Sequence, residues 1–107
     1  MEITTEQLRE KINNGEHLVV DFWADWCGPC KIMKPIFEKV SEQLKQENSK
    51  VQLYTMNVEQ NKDFAIDLGI RSIPTIKCFS DGTEVLTKVG LQQEKQLKEL
   101  VNNLING

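Results

Sequence analysis

No stretch of the chain approaches the roughly 18 consecutive apolar residues that a membrane-spanning helix needs, so no membrane partner is expected. The opening Met1-Glu2-Ile3-Thr4-Thr5-Glu6 lacks the basic start and apolar stretch of a secretory leader. A cytoplasmic location is the corresponding expectation. Positive charge is in deficit: 13 Lys and Arg face 16 Asp and Glu, for a net charge of −3. A nucleic-acid partner would want a basic surface, so that class is set aside. Histidine occurs once and cysteine only three times. An odd cysteine count allows at most one internal pair. In a reducing compartment a close pair is redox-active or metal-binding rather than structural. Repeats, low-complexity stretches and linkers are absent too. What remains is a 107-residue chain, 39% hydrophobic and 27% charged, the size and balance of one globular domain spanning residues 1–107.

The pattern of apolar residues alternates between helix and strand. Residues 5–14 read as a helix, with Thr4 and Gln7 spaced as a capping box, Leu8 and Ile12 on one face, and Gly15 to close it. Leu18–Trp23 is a short apolar run, the signature of a central strand buried on both faces. A long helix is predicted from Cys27 to Glu47, with Ile32, Met33, Ile36, Phe37, Val40 and Leu44 facing inward and Pro35 inside it as a source of a kink. Val51–Val58 is the next strand, parallel to the first because a helix lies between them. Lys62–Leu68 is a short helix ending at Gly69. Thr75–Phe79 and Thr83–Val89 are strands joined by Asp81-Gly82, a hairpin signal that makes them antiparallel. A last helix starts near Gln92 and buries Leu97, Leu100, Val101, Leu104 and Ile105. This order implies an α/β fold: a mixed sheet with helices on both faces. A further short strand around Ile3 is expected at one edge.

Trp26-Cys27-Gly28-Pro29-Cys30 sits where the first strand gives way to the long helix. Disulfide exchange needs a thiolate, and a free cysteine is mostly protonated at neutral pH. The unpaired N–H groups of a helix start carry partial positive charge and stabilise such an anion. Cys27 is therefore the expected nucleophile. Cys30, one turn on and deeper, is the expected resolving thiol that attacks the mixed disulfide at Cys27. Pro29 suits a first helical turn, Gly28 leaves room beside the sulfur, and Trp26 supplies an apolar shoulder. The rival reading is a metal site. It needs two further ligands, and only Cys78 and His17 are available. His17 lies a strand length away, roughly 20 Å. No metal is expected.

Asp21 stands inside the apolar strand, six residues before Cys27 and on the side shared by Val19 and Trp23. A buried carboxylate is costly unless paired or functional. It is either a structural group held by a nearby donor or the proton acceptor for Cys30, its pKa raised by burial. Ile73-Pro74-Thr75 opens a strand, and base rates for X–Pro bonds favour an ordinary trans bond. Cys78 reads as a small core residue, His17 as a loop residue.

Phe22-Trp23-Ala24-Asp25-Trp26-Cys27-Gly28-Pro29-Cys30-Lys31 resembles the active-site segment of the thioredoxin family. The likeness extends to Asp21, Pro35, Gly69-Ile70-Arg71-Ser72-Ile73-Pro74-Thr75, Phe79-Ser80-Asp81-Gly82 and Val89-Gly90. It implies the thioredoxin fold, a mixed five-stranded sheet flanked by four helices. It implies a cis Ile73–Pro74 bond beside the dithiol, and a docking surface built from Trp26, Gly28, Pro29, Ile73, Pro74 and Gly90. It implies a general protein-disulfide reductase, monomeric, that cycles between dithiol and disulfide at Cys27 and Cys30. Its partners would be disulfide-containing client proteins and a thioredoxin reductase. That reductase, not this chain, would carry FAD and draw on NADPH, so no bound cofactor is expected here.

Two positions depart from the family pattern. Many relatives carry a lysine beside the buried aspartate, where this chain has Thr55. Without that ammonium Asp21 should hold its proton more readily. Cys78 replaces what is often an apolar residue. Two other functions fit the same fold. An oxidase or isomerase is one, although such members typically have a histidine where Pro29 stands. A binding subunit or regulator of a larger complex is the other, against which the intact dithiol and Asp21 argue.

Overall fold

Seven residues in a row, five of them fully apolar in character or buried as if they were, force the strand His17–Trp23 (β1) into the middle of the molecule, where its inner positions are all buried. The computed structural model describes residues 1–106, with side chains through Ile105. The helix Thr5–Asn13 (α1) precedes β1, and Thr4 caps it as the spacing predicts. The Thr4 hydroxyl accepts from the Gln7 N–H at 3.2 Å, and the Gln7 side chain accepts from the Thr4 N–H at 3.0 Å. After β1 come the helix Gly28–Gln46 (α2), the strand Val51–Asn57 (β2), the helix Lys62–Asp67 (α3), the strands Thr75–Ser80 (β3) and Thr83–Val89 (β4), and the helix Glu94–Asn106 (α4). Helix α2 runs on through Pro35. Two residues expected to face inward do not: Ile32 lies off the stripe of Met33, Phe37 and Val40 and is exposed, and Ile105 in the last turn of α4 is exposed too.

The sheet order is β2-β1-β3-β4. β1 and β2 are parallel, while β1–β3 and β3–β4 are antiparallel. At the β3–β4 turn Asp81 and Gly82 both have positive φ, 55° and 87°, the backbone that Asp-Gly accommodates in a tight hairpin. Among the described residues the sheet thus has four strands, where the family resemblance implied five. The segment around Ile3 forms only an isolated parallel bridge, Glu2 with Thr55. Ile3 N–H bonds to Thr55 O at 2.8 Å and Thr55 N–H to Met1 O at 3.0 Å. The pairing stops there because Thr4 is already committed to capping α1. His17, read as a loop residue, instead opens β1, its ring 2.6 Å from the Ser80 hydroxyl.

The two faces of the sheet bury separate cores. Val19 and Ile76 pack with Met33, Phe37 and Val40 of α2 and Leu97 and Leu100 of α4. Leu18, Val20 and Phe22 pack with Leu8 of α1 and Phe64 of α3. Burying a side chain the size of Phe22 or Phe37 contributes about 2–3 kcal/mol. The alternation of β1 puts Asp21 on the Val19 side, facing α2. The fold therefore delivers a carboxyl group to the face that the cysteine-bearing helix covers.

Candidate active site

The carboxyl-terminal end of β1 organises the site. Trp23, its last residue, lies opposite Asn57, the last residue of the parallel strand β2. Phe22 pairs with Thr75 at the start of β3, and Thr75 pairs with Val89 at the end of β4. The chain segments next to these positions therefore meet at one pole: Trp26–Cys30 after β1, Ile73–Pro74 before β3 and Gly90 after β4. The Gly90 N–H bonds to Pro74 O at 2.8 Å. Gly90 has φ of 96°, a conformation open to glycine and costly for other residues. The Ile73–Pro74 bond is cis, as the resemblance implied and against the base rate for such bonds.

Cys27 is the N-cap of α2, and its sulfur accepts from the Cys30 N–H at 3.2 Å. Helix starts leave such N–H groups without an intrahelical partner, and here a sulfur takes the place that a serine or aspartate oxygen often fills. Pro29 lies in the first turn. Cys27 and Cys30 are joined as a disulfide, their Cα atoms 5.2 Å apart. Both are covered, at 4% and 3% exposure, so the expected difference in depth is slight in this oxidised form. The reason is local: the Cys27 sulfur turns inward onto the helix end. The neighbouring Trp26 is 69% exposed, and Gly28 and Pro29 are exposed with it. Cys78 is buried, and burial pushes its thiol up to about 11. Among the described residues no three His, Cys, Asp or Glu side chains gather as a metal-binding group.

Behind the disulfide lies a cavity of about 730 Å³ whose lining includes Cys30, Asp21, Trp23, Phe37 and Thr55. Asp21 is 2% exposed, and its Oδ1 has no hydrogen-bond partner among the described residues. Burial, and after it the nearby Glu2, push its carboxyl from the usual range up to about 7. Its parallel neighbour is Thr55, whose hydroxyl donates to Glu2 Oε1 at 2.7 Å. Glu2 also accepts from the Trp23 indole N–H at 2.9 Å and from the Asn57 N–H at 2.7 Å. Nothing in the local sequence marks Glu2. The edge pairing expected around Ile3 was its only signal, because residues 2 and 55 meet only in the folded chain.

The family model described as Thioredoxin matches residues 1–103. The chain belongs to the thioredoxin family. Among curated relatives, the thioredoxin of Rickettsia felis is 42% identical over 97 residues, covering 91% of this chain and 90% of its own. The thioredoxin of Buchnera aphidicola is 39% identical over 107 residues, covering 99% and 96%. The solved structure of Fasciola hepatica thioredoxin superposes with a TM-score of 0.84 at 30% identity, covering 97% of this chain and 99% of that one. With the disulfide-capable pair in place, this member of the thioredoxin family is a thiol–disulfide oxidoreductase of the disulfide-reductase type.

Proposed function

We propose that the chain is a general protein-disulfide reductase in which Cys27 is the nucleophile, Cys30 the resolving thiol and Asp21 the proton acceptor for Cys30. In the reduced chain the Cys27 thiolate attacks one sulfur of a client disulfide. A mixed disulfide forms and the other client sulfur leaves as a thiolate. Cys30 passes its proton across the shared cavity to the Asp21 carboxylate, then attacks the Cys27 sulfur. The second client sulfur departs and is protonated, and the Cys27–Cys30 disulfide remains. Two electrons have moved from this chain to the client. The observation that carries the reading is the capping contact, a Cys30 N–H aimed at the Cys27 sulfur, with the buried Asp21 carboxyl, its basicity raised by burial, in the cavity behind.

In this reading Gly28 and Pro29 set the redox poise, and Trp26, Ile73, Pro74 and Gly90 form the surface on which clients dock. A thioredoxin reductase, bearing FAD and drawing on NADPH, returns the two electrons. The chain then serves as an electron carrier in the cytoplasm, as one domain over 1–107 and as a monomer. Support comes from the gathering of these segments at one pole and from the relatives' family. The test is insulin-disulfide reduction with NADPH and a thioredoxin reductase present. The native chain should turn over, and Cys30→Ser should stall as a mixed disulfide that gel analysis detects. Turnover by Cys27→Ser would remove the assignment, and a bound complex unaffected by that change would point to a scaffold.

A further inference from the structure

The rim of the Asp21 cavity carries a group that the mechanism above leaves unused. Glu2 comes from the start of the chain, outside every helix and strand, yet both of its carboxyl oxygens are fixed. Oε1 accepts from the Trp23 indole N–H and the Thr55 hydroxyl, and Oε2 accepts from the Asn57 N–H. Three donors and no donor of its own are the bonding pattern of a carboxylate. The donors belong to β1 and β2, the strands that hold Asp21 and its parallel neighbour. Thr55 in particular turns its hydroxyl toward Glu2 and leaves the Asp21 Oδ1 unpartnered.

The other charges around the cavity offset one another. Helix α2 contributes Lys31, Lys34 and Lys45 and, among them, Glu38 and Glu42, and the loop after β1 adds Asp25. All are on exposed residues. The antiparallel neighbour of Asp21 on β3 is Ile76, and Met1 shares the rim with Glu2. Glu2 is thus the carboxylate held by three hydrogen bonds on the strand side of the cavity, and no salt bridge engages it among the described residues.

We propose that Glu2 is a positioning residue for the proton step: its carboxylate, clamped at the cavity rim by Trp23, Thr55 and Asn57, favours the protonated form of Asp21. A like charge nearby disfavours ionisation of a carboxyl group. Asp21 is thereby the stronger base for the Cys30 thiol when its turn comes, with the proton passing from Cys30 Sγ to the Asp21 carboxylate. The inference rests on Asp21 being the acceptor.

The experiment is a carbon-13 titration of the Asp21 side chain in the full-length native chain, Glu2→Gln and Asp25→Asn, alongside the pH profile of insulin reduction. Glu2→Gln should lower the Asp21 midpoint by about half to one unit, roughly three- to tenfold in its ionisation constant. The acid limb of the rate profile should move to lower pH with it. Asp25→Asn, which changes an exposed and unclamped carboxylate on the same rim, should shift the midpoint less. In the native chain, raising salt from about 0.01 to 1 M should also lower the midpoint, because screening weakens a rim charge. That arm stands even where the substitution disturbs folding. An unmoved midpoint in Glu2→Gln, or no salt response in the native chain, overturns the role of Glu2. A midpoint that falls while the rate profile stays put overturns Asp21 as the acceptor.

Discussion

Asp21 holds its proton up to about pH 7, whereas the same carboxyl in an unfolded chain ionises near 3.8. Between those values the folded state binds the extra proton, so stability falls as pH rises through the window. Each unit is worth about 1.4 kcal/mol, which sets an upper bound of roughly 4 kcal/mol on the cost above neutrality. Asp21→Asn should therefore be more stable than the native chain at pH 8, and the two should converge below pH 4. Urea unfolding at both values checks this, and an equal gap at the two would refute it. The other buried acid behaves differently. Cys78, with its thiol pushed up to about 11 by burial, has almost no thiolate at neutral pH. Iodoacetamide should label Cys27 in the reduced native chain within the time that leaves Cys78 untouched, and Cys78 should react only on unfolding, as mass mapping would report. Asp21 was legible in the sequence because an acid inside an apolar run is conspicuous. Glu2 was not, because nothing local distinguishes it from any exposed glutamate.

At the scale of elements, most of the architecture follows from short-range patterns. The apolar run of β1, the Thr4 capping box and the Asp81-Gly82 turn each specify their own conformation, and each is found. Replacing Thr4 by alanine should cost about 1 kcal/mol, read as a drop in the urea midpoint. The misses fall where partners decide. The edge segment at Ile3 is apolar enough for a strand, but the cap at Thr4 leaves it room for one bridge only. Helix α4 begins at Glu94 rather than near Gln92. The Gln92 N–H instead points to the Met33 sulfur at 3.4 Å, a contact no window of sequence contains. Helix α2 supports a sharper prediction. Its first turn already aims the Cys30 N–H at the Cys27 sulfur, where a thiolate would form on reduction. A cation added there should stabilise the thiolate further, so Pro29→His should make the disulfide more oxidising. A shift of about 30 mV or more, tenfold in the equilibrium with glutathione, is the expected result of a redox titration.

For the whole molecule, the antiparallel pairing of β3 with its neighbours brings segments far apart in sequence to the pole where Cys27 sits. The exposed Trp26 is the largest apolar group beside the dithiol. Aromatic anchors of this kind dominate the energy of protein contacts. Trp26→Ala should raise KM for a protein client about tenfold while leaving reaction with a small disulfide such as oxidised glutathione little changed. Equal losses on both would argue against a docking role. The docking role proposed for this surface rests on family likeness, since Ile73, Pro74 and Gly90 carry no chemistry that singles them out along the chain. Met1 and the last described turns of α4 line different hollows. Met1 borders the cavity that Asp21 shares with Cys30, whereas Asn103–Ile105 near the end of α4 border a separate hollow beside His17 and Asp81. An affinity tag or fusion partner joined ahead of Met1 would emerge next to the redox centre and jostle Glu2. The same cargo appended after α4 would hang clear of it, so the tail is the end at which to attach a label or tether the protein to a support.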